Sequence, residues 1–173
     1  EGKRQRSPLH MAVWNGDERM IQLLLANRAN PNAKSQEQIT PLHLAAQKGN
    51  IALMQRLVTA GAHSDDCMIN GDSVLHILAG HNDVKAMCWF LYQHPRFDIN
   101  CRNAAGKTPW QVAFLAGYDA VQVLLLERGA GIGPGDWIWW NEDEEVAFGA
   151  AAAFAGAAAA TPREPRRSRP NSC

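Results

Sequence analysis

The sequence predicts an all-α fold, a solenoid of stacked antiparallel helix pairs that gives way to a low-complexity C-terminal tail, and three observations predict it. A short motif recurs as Ser7-Pro8-Leu9-His10-Met11-Ala12, Thr40-Pro41-Leu42-His43-Leu44-Ala45, Ser73-Val74-Leu75-His76-Ile77-Leu78 and Thr108-Pro109-Trp110-Gln111-Val112-Ala113. It recurs in register: Ser7 to Thr40 and Thr40 to Ser73 are 33 residues apart, and Ser73 to Thr108 is 35. A turn residue stands at the same place after each motif (Gly16, Gly49, Asn82, Gly117), and an apolar block follows it.

Each element has a physical task. Ser or Thr caps a helix, and Pro8, Pro41 and Pro109 occupy its first position, where the missing N–H would be unpaired anyway. About two turns later Gly16, Gly49 and Gly117 supply the left-handed conformation that turns the chain back, and Asn82 tolerates it at small cost. The second helix carries apolar residues three and four apart: Met20 and Ile21 with Leu23 to Leu25, Leu53 and Met54 with Leu57 and Val58, Met87 with Phe90 and Leu91, and Val121 with Val123 to Leu126. Helices this short do not persist alone in water, so each pair must bury its face on the next.

The motif and its period resemble the ankyrin repeat, whose signature is T-P-L-H-x-A every 33 residues. The resemblance spans residues 2–130, as repeats of about 7–39, 40–72, 73–107 and 108–130. It implies that His10, His43 and His76 are structural, each bonding neighbouring turns, and that the segments between helix pairs form projecting hairpin fingers. Gly71 and Gly106 stand two residues before the next cap, and Gln38 replaces glycine at the first such turn, which is expected to distort it. The third repeat is the least regular, with Val74 for Pro, Leu78 for Ala, and two extra residues in Gln93–Phe97, where Pro95 ends the helix. Met11, Met20 and Ile21 at one end, and Val121, Val123 and Leu126 at the other, are expected to lie on faces that a further repeat would cover.

The resemblance also implies a protein–protein interaction scaffold or adaptor that binds its partner on a concave face, through finger tips and the outer side of the first helices. Carried over by register, the partner-binding positions are Arg6, Trp14, Ile39, Gln47, Lys48, Ile69, Asp72, His81, Lys107 and Leu115. Trp14, Ile39, Ile69 and Leu115 are the expected anchors, because a free module would expose apolar residues there. Arg6, Lys48 and Lys107 would steer an acidic partner. The alternative reading is a regulatory ankyrin segment of a larger enzyme, kinase or channel. It is favoured by the uncovered first repeat and by a chain that opens on Glu1 rather than methionine.

Composition narrows the remaining classes. Lys+Arg and Asp+Glu number 17 each, so no general nucleic-acid or membrane surface is indicated. No apolar run reaches membrane-span length and no signal peptide opens the chain. None of the common catalytic or phosphate-binding motifs occurs, and the glycines sit at repeat turns rather than in a cradle. The chain is therefore expected to be no enzyme, to hold no metal or cofactor, to be monomeric, and to work in the cytoplasm or nucleus. Cys67, Cys88, Cys101 and Cys173 match no zinc signature. Cys67 and Cys101 occupy similar places in successive repeats, which leaves a disulfide open beside the reading as reduced thiols.

Residues 131–173 leave the pattern. Residues 131–146 form a Trp-rich and acidic segment, Trp137, Trp139 and Trp140 followed by Glu142-Asp143-Glu144-Glu145, a candidate cap for the last repeat. Residues 147–173 are Ala-rich and then Pro- and Arg-rich, a composition expected to be disordered. If the tryptophans cover the last repeat, truncation at residue 131 lowers the melting temperature, because burying one such ring contributes on the order of a few kcal/mol. An unchanged thermal melt would refute the cap.

Overall fold

In a computed structural model of the chain, residues 6–131 are described, and they lie within one unit, Glu1–Gly133. The expected Trp-rich cap and the Ala- and Arg-rich tail fall outside the described residues. Eight helices occur among the described residues, in four pairs: α1 (Pro8–Asn15) with α2 (Glu18–Ala26), α3 (Pro41–Gln47) with α4 (Ile51–Thr59), α5 (Val74–Gly80) with α6 (Val84–Gln93), and α7 (Pro109–Leu115) with α8 (Asp119–Glu127). The first helices pack side by side in the order α1, α3, α5, α7, and each packs on its own second helix. None of the described helices is long and apolar enough to cross a membrane.

The turn that joins the two helices of a pair is the same in all four repeats. Gly16, Gly49, Asn82 and Gly117 adopt φ of 73°, 61°, 55° and 72°. Each donates its N–H to the carbonyl three residues back, from Gly16 to Val13 at 3.1 Å through to Gly117 to Phe114 at 3.0 Å. The next residue caps the second helix. Asp17, Asn50 and Asp83 accept the N–H of Met20, Leu53 and Ala86 through a side-chain oxygen at 2.9–3.0 Å. Tyr118 stands at the fourth such position and makes no side-chain cap.

The start of each first helix is a clamp. His10 Nδ1 lies 2.7 Å from the Ser7 hydroxyl and accepts the Ser7 N–H at 3.1 Å. His43 does the same with Thr40, and His76 with Ser73. A backbone N–H can only donate, so Nδ1 is the acceptor and the proton sits on Nε2. That proton reaches forward, from His10 to the Ile39 carbonyl at 2.8 Å, from His43 to Asp66 at 3.0 Å, and from His76 to Lys107 at 2.9 Å. Burial is the chief cause that holds all three imidazoles below the usual histidine pKa. In the last repeat Gln111 Oε1 accepts the Thr108 N–H at 2.8 Å, so the cap survives without a titrating group.

The core runs the length of the stack. Leu9, Leu42, Leu75 and Trp110 lie two residues after each cap and are all buried. Ile21 and Val121 are also fully buried, contrary to the expectation that a further repeat would be needed to cover them. The reason is one step of helical register. Ile21, like Met54 and Met87, is buried within the stack, whereas Met20 one residue earlier is exposed although its counterparts Leu53, Ala86 and Val121 are buried. Met11, Met20 and Val123 are exposed as expected, and Leu126 is half-buried.

The irregular third repeat fits the same frame. Val74 and Leu78 are buried, as is Ala86, which stands where the other repeats carry Met20, Leu53 and Val121. The helix ends before Pro95 as predicted, at Gln93. Its loop is tied down, because Phe97 meets the buried Phe90 edge-on at 5.3 Å and His94 lies 4.7 Å from the same ring.

The turn at Gln38 is not distorted. Ser35 donates to the Ile39 carbonyl and Gln38 to that of Ser35, both at 3.0 Å, which matches the Met68–Asp72 and Asn103–Lys107 turns. Gln38 simply takes the left-handed conformation, φ 58°, that Gly71 and Gly106 take at 76° and 73°. Arg28 does likewise at φ 60°, ending α2 where Gly61 and Gly129 end α4 and α8 at 89° and 91°.

Two outcomes follow from this geometry. Left-handed backbone disfavours an L side chain by about 1–2 kcal/mol, part of which glycine returns as unfolded-chain entropy. Gln38→Gly and Arg28→Gly are each expected to stabilise by about 0.5–1 kcal/mol and to raise the melting temperature by about 2–5 °C. The histidine clamps set a pH dependence. Their folded pKa values lie below the unfolded value of 6.5, so the unfolded chain binds more protons. Their contribution is complete above pH 6.5 and is lost as pH falls from there toward the folded values. His43→Gln, which copies the Gln111 cap, is expected to flatten the fall of melting temperature between about pH 7 and 5, at a cost of about 1 kcal/mol at neutral pH. An unaltered slope would remove His43 from the acid response.

Candidate partner-binding surface

The first helices hide most of their residues, so the positions they leave outward are informative. Seven residues after each cap come Trp14, Gln47, Gly80 and Leu115, followed by Asn15, Lys48, His81 and Ala116. Trp14 is 45% exposed and Leu115 55%, while Ile69 on the second finger is 71% exposed. Large apolar groups left in water at corresponding places of a regular stack are the feature to explain.

The fingers line up beside this row. Ile69 donates its N–H to the Glu37 carbonyl, and Ala104 to that of Asn70, both at 3.0 Å. The approach is close: a Cβ on Gly71 would fall 2.4 Å from the Ala104 nitrogen. Asp72 braces the same junction. One carboxylate oxygen accepts from Asn70 Nδ2 at 2.6 Å and the other from Asn103 Nδ2 at 2.7 Å. Asp72, expected to meet a partner, thus joins two fingers of its own chain.

Ile39 is a correction. It was expected as an exposed anchor and is buried in the core, 9% exposed. It stands immediately before the Thr40 cap, where its carbonyl receives His10 Nε2 and the Ser35 N–H. Lys107 holds the corresponding place before Thr108, is half-buried, and gives its carbonyl to His76. His81 is exposed and donates Nδ1–H to the Ile77 carbonyl at 2.7 Å, which closes the end of α5. Gln47 is half-buried and Lys48 exposed.

Three of the expected residues meet. The Arg6 guanidinium carbon and the Lys48 Nζ each lie 5.4 Å from the Trp14 ring centroid. Arg6 precedes α1, Trp14 is on α1 and Lys48 follows α3, so the cluster is built across two repeats. Residues that sequence reasoning passed over serve the scaffold. Asn32 reaches 29 residues ahead to donate to the Gly61 carbonyl at 2.9 Å and accepts the His63 N–H at 2.7 Å, and Asn100 accepts the Gly131 N–H at 2.8 Å. Their eight-residue spacing from the next cap was visible, but their partners were not.

Candidate chemistry elsewhere is weak. No group of three or more metal-ligating side chains occurs among the described residues. Cys67, Cys88 and Cys101 are free thiols. Cys101 Sγ lies 3.4 Å from Ser73 Oγ and 3.9 Å from His76 Nδ1. That nitrogen already serves the Ser73 N–H and hydroxyl, and burial pushes the thiol up and the imidazole down. The trio lacks the base that would activate a nucleophile.

The family model described as ankyrin repeats (3 copies) matches residues 9–103 and residues 42–136. The second match starts at 42, one 33-residue period after the first at 9, and together they span well over half of the 173-residue chain. No curated protein matches the chain. Repeat motif, paired helices, clamped histidines and family match agree: the chain belongs to the ankyrin-repeat family, whose repeats serve generally as protein–protein interaction modules and are typically non-catalytic.

Proposed function

We propose that this chain is an adaptor or scaffold that binds a partner protein along the outward row of its first helices and the adjoining finger tips. The observation that carries the reading is the exposure of Trp14, Leu115 and Ile69 along a stack whose first helices bury Leu9, Leu42, Leu44, Leu75, Ile77 and Trp110. Aromatic and apolar anchors of this kind dominate interface energies when a partner desolvates them. Gln47, Lys48 and His81 supply the polar groups between them.

A second reading, a regulatory segment of a larger enzyme, kinase or channel, is favoured by a different surface. Met11, Met20 and Leu23 are exposed, whereas Leu44 and Ile77, at the register of Met11, and Leu53, Ala86 and Val121, at the register of Met20, are buried. Further chain seated on α1 and α2 would cover them. Covalent or non-covalent cover on this face discriminates the two readings: a companion domain that buries Met11, Met20 and Leu23 supports the second, and its absence from the captured complex supports the first.

Affinity capture with the whole chain, followed by partner identification, tests the recognition row. Trp14→Ala and Leu115→Ala are each expected to weaken capture of the identified partner about ten-fold or more with little change in melting temperature. Tyr92→Ala and Val123→Ala, exposed on second helices, should leave it unchanged. Full capture by both of the first two variants would sink the assignment.

A further inference from the structure

We infer that Arg6, Trp14 and Lys48 form one subsite that takes an acidic side chain of a partner peptide with an apolar neighbour beside it. The inference rests on the recognition-row reading above and names the chemistry of its N-terminal part. A ring that already carries two cations offers nothing to a third, so a basic ligand is excluded. Both cations lie 5.4 Å from the centroid of one ring, so their positive charges add at this one spot. Neither forms a salt bridge among the described residues, where the ion pairs are those of Lys34 and His63 with Asp66 and of Arg56 with Glu18. An anion beside the ring gains from the summed charge of both cations and takes charge-assisted hydrogen bonds from the donors it meets.

The ring itself sets the second requirement. The Arg6 guanidinium brings a planar fork of donors that matches a carboxylate, and the Lys48 ammonium adds three more donors. The rest of the Trp14 surface remains open to an apolar group, and Ile69 and Leu115 continue the apolar character of the face. A carboxylate flanked by an apolar side chain therefore fits better than a bare anion. A nucleic-acid strand fits less well. It needs a succession of free cations along its backbone, whereas Lys34 and Arg56 are committed to Asp66 and Glu18.

The test follows the Trp14 indole N–H resonance of the isotope-labelled whole chain, assigned by its loss in Trp14→Phe. The probes are a blocked peptide of glutamate, glycine and leucine, its counterpart with glutamine for glutamate, and oligothymidylate. The acidic peptide is expected to shift the resonance with a Kd about ten-fold lower than the glutamine peptide, and raising sodium chloride should shrink that advantage. In the Arg6→Gln/Lys48→Gln double variant the advantage should vanish while the Trp14 resonance still responds to the leucine-bearing peptides. Three results would overturn the inference: equal response to the two peptides, no response to the acidic one, or a response to oligothymidylate alone. If these occur while the captured partner still requires Trp14 and Leu115, the acidic chemistry fails and the recognition row stands. If the partner requires neither residue, the row fails as well.

Discussion

The stack depends on one polar clamp repeated along its length. A hydroxyl and a backbone N–H at the helix start converge on a histidine Nδ1, and the opposite ring nitrogen donates to a carbonyl 23 to 31 residues further on. Within a repeat the clamp fixes where a two-turn helix begins. Between repeats it ties each first helix to the segment that follows, at the residue before the next cap for His10 and His76 and at Asp66, further back in the finger, for His43. A buried imidazole satisfied at both nitrogens is stable only as the neutral ring, so order in the stack is bound to one tautomer and one charge state. Gln111 carries the same cap at Thr108 without an ionisable ring.

This division explains what could be read from the amino-acid order. Caps, turns and helix starts are contacts between residues three or four apart, and their residue types sit in plain view. Gly16, Gly49, Asn82 and Gly117 stand where the chain turns left-handed, and Pro95 stands just past a helix end. What stayed hidden depends on contacts some thirty residues away. Ile39 looked like an exposed anchor by register, but its side chain lies in the core while its carbonyl receives His10 from the preceding repeat. Asp72 looked free, and its two oxygens are held by amides on two fingers. Met20 and Ile21 differ by one residue, about 100° of helix rotation, and that step separates an exposed side chain from a buried one.

Gln38 shows that the frame is stronger than any one preference. Two of three finger turns use glycine where the backbone is left-handed, and the first uses glutamine with the same hydrogen bonds. The clamp before it and the cap after it determine the backbone, and the residue between them bears the strain. The third repeat behaves alike. Loss of the N1 proline, a larger Leu78 and a longer loop are absorbed because neighbouring first helices hold α5 on both sides. Consistent geometry from inconsistent sequence is what nearest-neighbour stacking permits.

The same logic locates the variable surface. Positions that feed a clamp, a cap or the core cannot change freely, and they account for most of each first helix. The side chains at the last or next-to-last position of the first helices are released from all three tasks, and that is where Trp14, Gln47 and Leu115 differ so widely in size and polarity. Arg6 and Lys48 come from segments with separate structural tasks, one preceding a cap and the other following a helix, so neither is placed by its own repeat to serve the other. Stacking α1 on α3 brings their charges over one ring. A site of this kind is a property of the interface between repeats. A change in the register of the stack would disperse it even with every one of its residues intact.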